Sequence, residues 1–261
     1  MNSNGRVISA ENTDGLFKTS QIRKEPMPKK PSDVDIWISW ETEHIRQALE
    51  NASTYFDHKD VLDVHTLEAV YAKESRFGTL LNDRGIDGAA GEFQLKKTLA
   101  QQYGLFVSKK NDQRFDIDYA SIAAARYLKD IDYEFSKETI LTAKVRTVPV
   151  TDPVEREKFD LAAYNAGSTP IAKAQQLAKK AGKNPAVWDD VKTFLKAAGV
   201  NAEKVTEIRN YVTKILRYQN EFAEKSSADA RAKDRKLVKP KIQCTKGHWI
   251  TKDHHHIFIC Q

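Results

Sequence analysis

Cysteine is scarce in this chain, and long apolar runs and internal repeats are missing altogether. Two cysteines in 261 residues allow one covalent bridge at most. No apolar stretch approaches the roughly 20 residues that cross a bilayer, which excludes a helical membrane span. The first ten residues are polar and lack the apolar centre of a secretory signal. Either export by that route does not apply, or a signal has been removed; the sequence leaves both open. No compact basic stripe with interleaved aromatics occurs, so nucleic acid is not the expected partner.

What is present describes a soluble protein with a substantial core. Hydrophobic residues make up 40% and charged residues 30%. The length suits one large domain, or a medium one with tails. The net charge of +6 and the pI of about 9.1 suit an anionic partner without choosing one. Half of the residues from Ser226 to Lys241 are Lys, Arg or Asp, so part of that charge belongs to a tail.

The pattern divides the chain into three. Residues 1–34 hold little periodicity and include the Pro/Lys stretch Lys24 to Pro31, read as an extended linker. Residues 35–224 are helical in pattern and form the domain. Ile38, Ile45, Ala48, Leu49 and Ala52 share one face from Ile36 onward, and Val61, Val64, Leu67, Val70 and Tyr71 share the next. Further helices are predicted at Leu99–Tyr103, Ile117–Phe135, Glu155–Tyr164, Ile171–Ala181, Val187–Ala198 and Ala202–Phe222. Ala120, Ala123 and Ala124 leave room for close helix packing. Leu141 to Val150 leans toward β and reads as a loop or short hairpin. Residues 225–261 are a charged linker, then a small hairpin built from Ile242–Cys244 and Ile257–Cys260. The fold class is mainly α.

Glu74 ends the apolar stripe that begins at Val61, and a Gly-rich segment from Gly85 to Gly91 follows it. A carboxyl shielded at the end of an apolar helix is disfavoured in its charged form, so it keeps a proton toward neutral pH and delivers it on demand. Protonating a glycosidic oxygen needs such a group. A lone Glu on a helix says little; the residues downstream decide.

Four pieces stand in order. They are Glu74-Ser75-Arg76-Phe77, Gly88-Ala89-Ala90-Gly91-Glu92-Phe93-Gln94, Ala162-Ala163-Tyr164-Asn165-Ala166-Gly167, and Arg209-Asn210-Tyr211-Val212-Thr213-Lys214-Ile215-Leu216. With Ala124-Ala125-Arg126-Tyr127-Leu128 between them, the set resembles the soluble-type lytic transglycosylase domain, which is related to goose-type lysozyme. The resemblance implies a lysozyme-like helical domain with a groove for glycan strands of peptidoglycan. It implies cleavage between N-acetylmuramic acid and N-acetylglucosamine, with a 1,6-anhydromuramic end and no cofactor. Glu74 would act as acid and then as base. Tyr164 and Tyr211 would place hydroxyls toward Glu74 or the substrate, and Gln94 an amide in the groove. Asn165 would fix the turn after its helix. Gly88 and Gly91 would turn with positive φ close to a sugar, and Phe93 would stack on a sugar face. Ser75 and Phe77 read as structural.

The match departs from the family pattern where Glu92-Phe93 replace the usual Leu-Met, putting a charge on the groove wall. Asp83 and Asp87 are candidates for a second carboxylate that positions water, which would make the enzyme a hydrolytic muramidase. A third reading is a non-catalytic glycan binder or assembly component, possessing the fold alone. Peptidoglycan lies in oxidising compartments, so the resemblance favours a Cys244–Cys260 disulfide and a periplasmic or cell-envelope location. The spacing of Cys244, His248, His256 and Cys260 also suits zinc.

Overall fold

The computed structural model describes residues 30–57, 61–81 and 85–228, together with the backbone of 247–252 and 255–260. Contacts divide the chain after Pro31. From Ser32 onward the described architecture is mainly α, as expected for a lysozyme-like domain. Helices α1 (Asp33–Trp40) and α2 (Glu43–Ser53) take the place of the one continuous stripe predicted from Ile36. The break has a local cause. Glu41 is extended, and the Thr42 hydroxyl accepts the Ile45 N–H at 3.2 Å to start a new helix.

Helix α3 (Val64–Ser75) is the central element. Asp63 caps it reciprocally with Thr66, and every residue from Thr66 to Ala72 is buried. A helix with apolar residues on all sides has no solvent face, which is why its amphipathic signal is weak. Each of Leu67, Val70 and Tyr71 contributes roughly 1.5–3 kcal/mol through burial. Around α3 pack α2, α5 (Ile117–Ser136) and α9 (Ala202–Ala228), with α6 (Pro153–Ala166) between α5 and α9. Ala120, Ala123, Ala124 and Ala125 on α5 and Ala162 and Ala163 on α6 are fully buried, so the small residues do permit close approach.

The outer helices are α4 (Lys97–Gln102), α7 (Ser168–Lys180) and α8 (Trp188–Val191). The predicted helix Val187–Ala198 is only four residues long before it tightens into a 3₁₀ turn at Lys192–Phe194. Polar side chains take over the backbone there: Asp190 accepts the Asn184 N–H at 2.9 Å, and the Thr193 hydroxyl donates to Asp190 O at 2.7 Å.

Three two-stranded ribbons complete the described residues. In the first, β1 (Ala89–Ala90) pairs with β2 (Leu95–Lys96) across the glycine loop. The second, β3 (Ile140–Thr142) with β4 (Val145–Arg146), is the hairpin reading of the β-leaning segment. In the third, β5 (Gly247–Lys252) pairs with β6 (His255–Cys260), placing Cys260 opposite Gly247. The first strand therefore begins after the predicted Ile242–Cys244. Both readings of the cysteines rest on Cys244 and on side chains of this ribbon, which lie outside the described residues.

Candidate active site

Glu74 occupies the last turn of α3, and the backbone beyond it is strained. Arg76, Phe77 and Gly78 follow with φ of 49°, 57° and 76°, three successive left-handed residues. For the two non-glycine residues this costs about 1–2 kcal/mol each. The turn is held by Ser75, whose hydroxyl donates to Tyr71 O at 3.1 Å and accepts the Gly78 N–H at 3.0 Å. Its carbonyl accepts the Leu80 N–H at 2.8 Å. Phe77 anchors the same turn in the core, packed on Tyr71 and Phe222. Ser75 and Phe77 are thus structural, and together they fix where α3 stops and where Glu74 points.

The glycine loop is hung on a residue that no motif indicated. Arg114 is buried, and its guanidinium donates to the carbonyls of Gly88 (2.6 Å), Leu95 (3.1 Å) and Ile86 (3.1 Å). Asp112 neutralises it at 2.6 Å. The Arg114 carbonyl accepts the Glu92 N–H at 2.8 Å. Gly91 takes φ 76°, as predicted, while Gly88 does not adopt a positive φ; Gly85 does, at 82°. Gly88 instead serves through its carbonyl, which Arg114 holds.

Glu74 is half-buried, with Tyr164 of α6 and Tyr211 of α9 as its neighbours. Burial pushes its carboxyl above the ordinary carboxylate range. The Tyr211 hydroxyl and the Lys73 ammonium pull it back, the Glu207 carboxylate raises it, and Lys204 lowers it. Tyr211 is fully buried, and its hydroxyl faces Glu74 without a hydrogen bond of good geometry. Lys73 lies over its ring at 5.4 Å. Tyr164 donates to Phe93 O at 3.1 Å, which ties the glycine loop to α6. Its ring packs on Tyr127 at 5.2 Å. Burial raises both phenols well above their usual range, so they remain proton donors.

Asn165 reaches across to α9 and donates to Glu207 at 3.0 Å, while Lys204 holds the same oxygen at 2.8 Å. Burial raises the Glu207 carboxyl, but Lys204 and Asn165 outweigh it and keep the group ionised. Glu207 lies two residues before the fourth motif, which begins at Arg209. The available signal was its position four residues before Tyr211, on the same face of α9.

Other predicted contacts are placed differently. The Phe93 ring is fully buried and stacks on Tyr71 at 5.4 Å, so it offers no face to a sugar. The Gln94 amide donates to Gly91 O at 2.8 Å and locks its own loop, with φ 49° at that residue. Glu92 is buried beneath Tyr71 rather than set on a groove wall; burial raises its carboxyl and the Tyr71 hydroxyl opposes that. Asp87 is exposed and paired with Lys97 at 3.1 Å. Asp83 lies outside the described residues.

The structure thus brings Glu74, Tyr164, Asn165 and Tyr211 together from three helices, beside a loop fixed by Arg114. Comparison with known proteins covers the stretch that supplies most of these residues, with Tyr211 beyond the matched range. The transglycosylase SLT domain model matches residues 54–187, just over half of the chain, and includes Glu74, the glycine loop and Tyr164. A membrane-bound lytic murein transglycosylase F of Salmonella typhimurium is 32% identical over 198 residues, covering 69% of this chain and 34% of the relative. One from Aeromonas hydrophila is 27% identical over 171 residues, covering 62% and 30%. One from Desulfosudis oleivorans is 29% identical over 133 residues, covering 51% and 25%. The chain spans a quarter to a third of the length of these relatives. A domain-wide match that contains a shielded glutamate and its tyrosine partner makes this chain a member of the transglycosylase SLT domain family.

Proposed function

We propose that this chain is a peptidoglycan lytic transglycosylase of the cell envelope, with Glu74 as its single acid and base. The observation that carries the reading is the half-buried Glu74, raised toward holding its proton and flanked by the hydroxyls of Tyr164 and Tyr211. Glu74 gives its proton to the glycosidic oxygen as the bond from muramic C1 breaks, releasing N-acetylglucosamine with a free hydroxyl. The substrate's acetamido oxygen supports the cation at C1. The Glu74 carboxylate then takes the proton of the muramic 6-hydroxyl, and O6 closes on C1 to give the 1,6-anhydro end. No second carboxylate is needed, in keeping with Asp87 standing in solvent and paired with Lys97.

Mass analysis of products from purified sacculi tests the chemistry. Muropeptides with anhydro ends, 18 mass units lighter than the hydrolysed forms by the loss of one water, are the expected result. Reducing ends instead would establish a hydrolytic muramidase.

Tyr211→Phe tests the electrostatics. The hydroxyl favours the ionised form of Glu74, so its loss lets Glu74 hold the proton to higher pH. The alkaline limb of the activity profile should therefore move up. Turnover should fall about 10-fold or more as a donor beside the reacting centre is lost. Thermal stability should be unchanged or higher, because the buried hydroxyl has no good partner to lose. An unmoved pH profile with unchanged turnover would remove Tyr211 from the site.

A further inference from the structure

About 11–12 Å along the helices from Glu74, the same three helices meet in a second buried polar layer. On α3 it is Thr66, eight residues before Glu74. On α6 it is Glu157, seven before Tyr164, and on α9 it is Gln219, eight after Tyr211. The offsets reverse on α9 because it runs antiparallel to α3. Thr66 is fully buried, and Glu157 and Gln219 nearly so. Gln219 Nε2 donates to Thr66 Oγ1 at 3.0 Å, and the Thr66 N–H donates to Asp63 at 3.0 Å. The Glu157 carboxyl lies against Gln219 and Thr66, with its Oε1 buried and lacking a hydrogen-bond partner among the described residues.

The charged groups acting on Glu157 are few. From the start of α3, Asp63 disfavours its ionisation; from α6 itself, Lys158 favours ionisation, although that ammonium is engaged with Glu155 at 2.6 Å. The neutral amide of Gln219 faces it from α9. Asp160, one turn further along α6, is another buried carboxyl. Burial dominates and pushes Glu157 up to about 7, against the pull of Gln219 and Thr66.

We propose that Glu157 is a positioning residue for the Glu74 site: with its proton it closes the lower layer, and without it the packing of α3, α6 and α9 loosens. The juxtaposition of Glu74, Tyr164 and Tyr211 depends on the register of those helices, so the lower layer sets an alkaline limit on the upper one. The part of this that concerns activity rests on the function proposed above; the part that concerns stability does not. The folded state holds the Glu157 proton more tightly than the unfolded chain. The stabilisation is therefore complete below the ordinary value of 4.5 and is lost as pH rises toward about 7.

The test compares the whole chain with Glu157→Gln, a neutral isostere, from about pH 5 to about pH 8.5. Thermal midpoints and muropeptide release from sacculi are both followed. The wild-type midpoint should fall by several degrees relative to the variant across that range, and the variant's alkaline activity limb should lie higher. Parallel midpoints would overturn the proposal, as would diverging midpoints with superimposable activity limbs. Diverging midpoints with no release at any pH would uphold the buried layer and sink the enzymatic reading instead. Hydrogen exchange of wild-type α6, corrected for the intrinsic effect of pH, needs no variant. Protection that does not fall between about pH 6 and about pH 8 would equally overturn the proposal.

Discussion

Glu74→Gln is expected to lower muropeptide release from purified sacculi by at least about 10³-fold. General acid or base catalysis by one positioned group contributes about 10²–10⁴-fold, and here the same carboxyl is used in both directions. The amide fills the same volume but neither delivers a proton nor takes one. Stability should hold or rise, because burial already disfavours the charged form and a neutral isostere removes that penalty. Binding to sacculi should persist, since the loop held by Arg114 and the Tyr164–Phe93 link are untouched. Release by wild type and variant alike no greater than from sacculi alone would leave a glycan binder that has kept the fold, and equal release above that level would take the chemistry away from Glu74.

Much of this arrangement could be read from the residues, for a physical reason. Long amphipathic or wholly apolar stretches become helices because burial has a period, so α3, α5 and α6 were visible. Glu74 and Tyr164 are 90 positions apart, yet ordered motifs linked them. What stayed hidden depends on single residues. Phe93 and Glu92 sit in a four-residue turn between β1 and β2, where the twist at Gly91 and Gln94 decides which side chain faces inward. Both turned inward. Arg114 binds carbonyls, and a carbonyl has no sequence identity, so no pattern announces its partners. Glu157 is a charged residue at a core position of α6, and hydrophobic periodicity assigns such a residue to the surface.

Gly91→Ala should be the most damaging small substitution in the domain. A methyl there would stand 1.9 Å from the Arg114 carbonyl oxygen, and the residue would keep a φ of 76°. The obstacle is backbone and has no room to yield. The same carbonyl accepts the Glu92 N–H, and the Arg114 side chain is fastened to Asp112 and to three loop carbonyls. Left-handed strain alone costs about 1–2 kcal/mol, and displacing the loop breaks part of that network as well. The total should reach at least about 4 kcal/mol, a loss reserved for disrupted cores and strained backbones. Gly85→Ala is the control: its φ is 82°, but nothing among the described residues lies within 4 Å of the added methyl, so only the strain of about 1–2 kcal/mol remains. Urea unfolding of both variants separates clash from strain. Where Gly91→Ala remains folded at low temperature, muropeptide release should still collapse, because moving Phe93 O takes away the acceptor that orients the Tyr164 hydroxyl. Equal midpoints for the two alanine variants would mean that the Arg114 carbonyl is not the wall against which this loop is built.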